Sequence, residues 1–228
     1  MNLELYIPFP KQTISQGFGK NATSIYKDQG VAGHTSIDWD IPHGTPYPCC
    51  ADDSYCYSVI NKENPDPMRY RAVFTLVEKQ SGTYEVSYGH CDKIYAEVGK
   101  TYRAGEILGT VGNTGDVFAG GRYVTREEKL ARSTAGAHAL APQVRPVKKV
   151  TSIMQGKQYL YDGFGLFKKD GYYYEVADYN NGYNGCVDPE PFFNGYLAIK
   201  RDEVIKNLKT QVSTLQQVVD LFKRILGV

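Results

Sequence analysis

The chain has 228 residues, 42% of them hydrophobic, with 26 basic and 25 acidic side chains for a formal net charge of +1. That length holds one large core, or one core with an appendage, and the near-neutral balance excludes a general pull toward nucleic acid or anionic membrane. No run approaches the roughly 18 consecutive apolar residues of a bilayer span, and the opening MNLELYIPFPKQ lacks the charged-then-apolar pattern of a secretory signal.

From about Gln12 to Val150 the chain reads as short alternating runs separated by Gly, Pro, Asn and Asp. TSIDWDI, YRAVFTLVEK, TYEVSYGH, EILGTVG and QVRPVKKV each have strand length and predict an antiparallel, mainly β fold. Gln80-Ser81-Gly82 reads as a hairpin connection, and Gly112-Asn113-Thr114-Gly115 as a turn tolerant of positive φ. Residues 118–136 read as a long loop with a helical turn at EEKLARS. Residues 151–200 form an aromatic β-extension of the same domain, with a hairpin around Lys169-Asp170-Gly171. The last segment, 201–228, differs in kind. Ile205, Leu208, Val212, Leu215, Val219, Phe222 and Leu226 follow a 3,4 spacing that predicts a heptad helix. Two uses stay open for it: a coiled-coil seam joining copies of the chain, or an amphipathic helix lying on its own domain.

The five cysteines are Cys49, Cys50, Cys56, Cys91 and Cys186. An odd number without a signal argues against a secreted disulfide framework, and the 49–56 cluster is no paired metal knuckle, so buried thiols are expected. The 19 tyrosines and 23 glycines suit many short strands and a surface able to stack on extended polar substrates.

Each of the four histidines can be weighed singly. In His34-Thr35-Ser36-Ile37-Asp38-Trp39-Asp40-Ile41, period 2 sets His34, Ser36, Asp38 and Asp40 on one face and the apolar residues on the other. His34 and Asp38 project together and suit a zinc ligand pair or a plain His–Asp hydrogen bond. His90 ends TYEVSYGH on the face of Tyr84, Val86 and Tyr88. His138 precedes QVRPV. His43, in Pro-His-Gly-Thr-Pro, reads as an exposed, inert turn residue.

Four stretches occur in an order that resembles the M23 metallopeptidases, the lysostaphin-like peptidoglycan endopeptidases: QGFGKN (16–21), GHTSIDWDIPHGTPYP (33–48), YGHCDKIYAEVGKTYRAGEILGTVGNTG (88–115) and TAGAHALAPQVRPV (134–147). The resemblance implies a lysostaphin-like antiparallel sheet or sandwich over 1–150, a Zn²⁺ cofactor, and action on peptidoglycan cross-links at a bacterial cell wall. It implies His34 and Asp38 as metal ligands, with His90 and His138 as the catalytic histidines that stabilise the oxyanion and move protons. The lack of a signal suits a phage endolysin or virion-associated protein.

One departure stands out. The family's H-x-H motif ends in the third zinc ligand, and here Leu140 holds that place. Anchoring on QVRPV instead leaves one extra residue and sets Ala139-Leu140-Ala141 over the motif. Catalytic zinc takes three protein ligands and a water, so two readings follow. One is a zinc endopeptidase weakened by the lost ligand, with Asp40 or a cysteine as candidate substitutes. The other is an inactive peptidoglycan-binding or structural module that oligomerises through residues 205–226.

Overall fold

The computed structural model describes residues 2–9, 12–20, 25–119, 122–131 and 137–197. The heptad segment lies outside these residues.

In chain order the strands are β1 (Leu5–Ile7), β2 (Ile14–Gln16), β3 (Asp38–Asp40), β4 (Pro46–Pro48), β5 (Ser54–Ile60), β6 (Ala72–Lys79), β7 (Gly82–Gly89), β8 (Cys91–Ile94), β9 (Thr101–Tyr102), β10 (Ile107–Val111), β11 (Phe118–Ala119), β12 (Arg122–Tyr123), β13 (His138–Val150), β14 (Lys168–Lys169), β15 (Tyr172–Val176) and β16 (Phe193–Tyr196). The helices are short, α1 (Ile25–Asp28) and α2 (Arg126–Leu130). Thr125 and Glu128 cap α2 reciprocally, which is why EEKL makes a single defined turn there.

The main sheet runs β14-β15-β13-β7-β6-β5-β9, with β3 on β13 and β2 on β3, and a smaller sheet runs β4-β10-β8. Apart from the parallel β1–β16 pair, the ladders are antiparallel. A mainly β, antiparallel fold is what the alternating runs predict. The principal core lies between the two sheets. Val73, Val77, Val86, Tyr88 and Val144 come from the larger sheet, and Tyr47, Ile94, Leu108 and Val111 from the smaller. Each is nearly or wholly removed from water, which stabilises the fold by about 1.5–3 kcal/mol per large side chain.

The opposite face of the main sheet is also covered. Because side chains alternate along β6, Leu76 points away from Val73 and Val77 and joins Tyr57, Val147, Leu160, Phe167 and Tyr174 in a second cluster. Leu160 and Phe167, from the segment before β14, therefore pack on this outer face of the sheet. The hairpin read at Lys169-Asp170-Gly171 is present, and the positive φ of Asp170 and Gly171 supplies its tight turn.

Two local details differ from the alternation in the sequence. Regular pairing of the His34–Ile41 run starts only at Asp38, and before it Thr35 and Ser36 form a bend. The core face still holds, since Ile37, Trp39 and Ile41 are buried. On β13, three residues from Leu140 to Gln143 span two steps of β7, from Gly89 to Ser87. The extra residue is a β-bulge beside Pro142, which has no N–H to give the ladder. Ser36 Oγ donates to the Pro142 carbonyl at 3.0 Å and the Tyr47 hydroxyl to that of Leu140 at 2.7 Å, fixing the bulge from both sides.

Candidate active site

His34, Asp38, His90, His138 and Leu140 all line one groove of about 340 Å³. Their routes to it differ. The His34 backbone is held by the 17–20 turn, where Gly19 N donates to its carbonyl and its own N donates to the Lys20 carbonyl. Asp38 opens β3, and Leu140 lies directly opposite it on β13, with His138 opposite Asp40. Directly opposed residues project to the same side, so the bulge leaves Leu140 in register with Asp38. The extra residue that blurred the H-x-H alignment falls after Leu140.

His90 arrives by a turn. Its φ is +56°, so it leaves the period of β7 and does not share the core face of Val86 and Tyr88. Gly89 lets Tyr70 lie against the turn, because a Cβ there would collide with the Tyr70 hydroxyl. The Tyr70 ring stands edge-on to His90 with centroids 5.1 Å apart.

The electrostatics centre on Asp38, which is 8% exposed. His34 Nε2 is 3.3 Å from its Oδ1 and His138 Nε2 is 3.7 Å from its Oδ2, so one carboxylate spans two imidazoles. Burial works against its charge, but His138, His34 and His90 outweigh that and hold its pKa below the ordinary carboxylate value. The pKa of His90 is lowered to about 3, first by burial and then by His138, against the opposing pull of the Thr114 carbonyl and Asp38. His90 is therefore neutral at pH 7. Its Nδ1 lies 2.6 Å from the Thr114 carbonyl oxygen, which can only accept, so the proton sits on Nδ1 and the lone pair on Nε2. The His90 and His138 rings are 4.6 Å apart, centroid to centroid.

The fit to zinc is partial. Tetrahedral zinc with bonds of about 2.1 Å sets two donors about 3.4 Å apart, close to the 3.3 Å between His34 Nε2 and Asp38 Oδ1. Asp38 Oδ1 and His34 Nδ1 are buried and, among the described residues, have no hydrogen-bond partner. The first is an oxygen a cation would satisfy, while the second lacks the hydrogen bond that usually orients a ligating imidazole. The set stops there. Among the described residues no three His, Cys, Asp or Glu side chains converge as a metal cage. His138 engages the other oxygen of Asp38, and Leu140 offers only carbon. The candidate substitutes do not help: Asp40 is exposed, and Cys49 and Cys50 are fully buried in the core beside Tyr88.

Polar side chains to which the sequence assigns no role complete the groove. Gln143 Nε2 donates to Thr35 Oγ1 at 2.7 Å, and Gln16 donates to the hydroxyl of Tyr26, whose ring faces His34 with centroids 5.9 Å apart. Such donors and acceptors suit a peptide backbone. His43 corrects an expectation. Its side chain is only 9% exposed and lies 3.6 Å from Asp92, away from this groove.

No family model and no curated protein matches the chain. Among solved structures it is similar to LytU, at 22% identity over 81% of this chain and 86% of that one, with a TM-score of 0.44. The catalytic domain of the antimicrobial peptidase lysostaphin from Staphylococcus simulans is 17% identical over 79% and 91% of the two chains, with a TM-score of 0.41. The catalytic domain of the prophage-encoded M23 protein EnpA from Enterococcus faecalis, solved as an alanine-to-histidine mutant, is 20% identical over 63% and 87%, with a TM-score of 0.38. These are likenesses of fold alone.

Proposed function

We propose that this chain is a cell-wall protein of the M23 peptidase type whose groove holds the peptide cross-links of peptidoglycan, and whose zinc endopeptidase chemistry is held down by Leu140. The observation that carries this reading is the register that sets Leu140 opposite Asp38. A side chain there faces the same space as the Asp38 carboxylate, and leucine has no donor to give. What remains is a binding groove with an oriented hydrogen-bond acceptor. His90 presents its Nε2 lone pair, His138 stands beside it, and the Gln143–Thr35 and Gln16–Tyr26 pairs offer hydrogen bonds to an extended peptide.

The 3.3 Å edge between His34 and Asp38 favours one second reading, a working endopeptidase that holds zinc only weakly. Purified bacterial cell walls separate the two. The chain as it stands is expected to sediment with the walls and to release no soluble peptide, while Leu140→His sediments equally and solubilises them. Solubilisation by the unaltered chain, blocked by a chelator, supports the second reading. Failure of both proteins to sediment rejects the wall assignment.

A further inference from the structure

A second cavity, of about 430 Å³, lies away from His34 and Asp38 and is lined by Thr114, whose carbonyl is the one that orients His90. Four cations line it, Lys62, Arg71, Lys93 and Lys129, against two carboxylates, Glu63 and Asp92. Arg71 is 8% exposed and Lys129 only 3%. Burying a cation costs several kcal/mol unless something neutralises it, so their partners are informative. Among the described residues, Lys62, Arg71 and Lys129 hold backbone carbonyls in place of carboxylates. Lys62 Nζ donates to the Ala96 carbonyl at 3.0 Å and Lys129 Nζ to that of Gly115. Arg71 donates from Nη1 to the Asp92 carbonyl at 2.6 Å, and from Nε and Nη2 to that of Asn64.

Two of the nearby carboxylates, Asp92 and Asp66, face other partners. Asp92 lies 3.6 Å from His43 Nε2 and Asp66 lies 3.5 Å from Arg126 Nε. Asp116 and Asp66 reach Lys129 only through longer-range charge. Carbonyl dipoles do not cancel a full charge. An ammonium has three donor hydrogens and a guanidinium five, so each of these cations keeps donors beyond its carbonyl bonds. The cavity also has an apolar rim: Tyr95 is 51% and Leu130 is 55% exposed, and Pro65 stands beside them.

We propose that this cavity is a binding site for an organic oxyanion, the free carboxylate end of a peptide, with the carboxylate at Arg71, Lys62 and Lys129 and the terminal side chain against Tyr95 and Leu130. The fork of a guanidinium matches a carboxylate or a phosphate. The apolar rim and the volume favour a carboxylate with a carbon body over a bare inorganic ion. The site does not depend on hydrolysis in the groove.

Calorimetric titration of the full chain at fixed ionic strength tests this, using acetyl-alanyl-alanine, its C-terminal amide, and inorganic phosphate. The free acid is expected to bind at least about tenfold more tightly than the amide, the worth of a hydrogen bond to a charged group, and more tightly than phosphate. Lys93→Met, at an exposed position, and Lys62→Met, at a half-buried one, are each expected to weaken the acid about three- to tenfold, with the melting temperature unchanged for Lys93→Met and lowered for Lys62→Met, which also leaves the Ala96 carbonyl without its donor. Equal binding of acid and amide overturns the proposal, as does no binding of the acid by about 10 mM. Phosphate binding more tightly than the acid overturns the peptide assignment.

Discussion

Replacing Arg145 by methionine strands the Glu85 carboxylate in the core. Glu85 is 2% exposed and faces Arg145 directly across the β7–β13 ladder, with Oε1 2.5 Å from Nη1. Its other oxygen takes the Tyr57 hydroxyl, a neutral donor that cannot replace the guanidinium. Breaking a buried pair from one side costs about 3–5 kcal/mol, which at roughly 2–4 °C per kcal/mol lowers the melting temperature of a chain this size by about 10 °C. The effect reaches the groove, because Arg145 Nε also holds the Asn184 carbonyl at 2.9 Å. That loop accepts Ala32 N at Gly182 and packs Tyr183 against Phe18, beside the turn that holds His34. Thermal and urea unfolding of Arg145→Met and of Arg145→Met with Glu85→Leu measure it. The double variant is expected to recover at least half of the loss, since it leaves no buried charge unpaired. A single-variant loss under about 1 kcal/mol refutes the reasoning, and so does a double variant no more stable than the single.

His90 makes stability depend on pH. Its folded pKa of about 3 lies below the ordinary histidine value, so between about pH 6.5 and pH 3 the unfolded chain binds a proton that the folded chain does not. Its contribution falls by about 2 kcal/mol from pH 7 to pH 5, and His90→Gln should flatten that slope in urea titrations; an unchanged slope contradicts the assignment. Asp38, also lowered, adds a loss only as pH falls below the ordinary carboxylate value of about 3.9. At Gly109 a Cβ would meet the Lys93 carbonyl oxygen across the β8–β10 ladder, so Gly109→Ala should cost about 3 kcal/mol; a melting temperature within 2–3 °C of the parent contradicts this, at roughly 2–4 °C per kcal/mol. Ending the chain at Lys200 removes the heptad spacing, and light scattering should then report a smaller assembly, whereas an unchanged mass removes the coiled-coil reading.

The strands were legible because their period is written in residue type. Ile37, Trp39 and Ile41 alternate with polar neighbours and all three are buried, and Asp170-Gly171 carries the positive φ of its turn. The grouping of His34, Asp38, His90 and His138 came from the order of motifs. Spacing alone misplaces His90, whose left-handed backbone takes it off the face that period 2 assigns. Anchoring on QVRPV left one extra residue to place, and only pairing with β7 and β3 decides that it falls after Leu140. His43 looked inert because a turn sequence says nothing of what folds over it, and Asp92 lies 49 residues further along. The second cavity had no linear signal: Lys62 and Arg71, from the β5–β6 connection, meet Lys129 of α2 only in the fold.

Equilibrium dialysis against zinc buffers reads the central claim most directly, since it asks only how many donors the groove presents. The chain as it stands is predicted to hold much less than one zinc at micromolar free metal. Leu140→His is predicted to hold one zinc per chain with affinity higher by about 100-fold, the share of one ligand in a site worth roughly 10–16 kcal/mol in total. One tightly held zinc in the unaltered chain, unaffected by Leu140→His, contradicts the claim that Leu140 is where the ligand set fails.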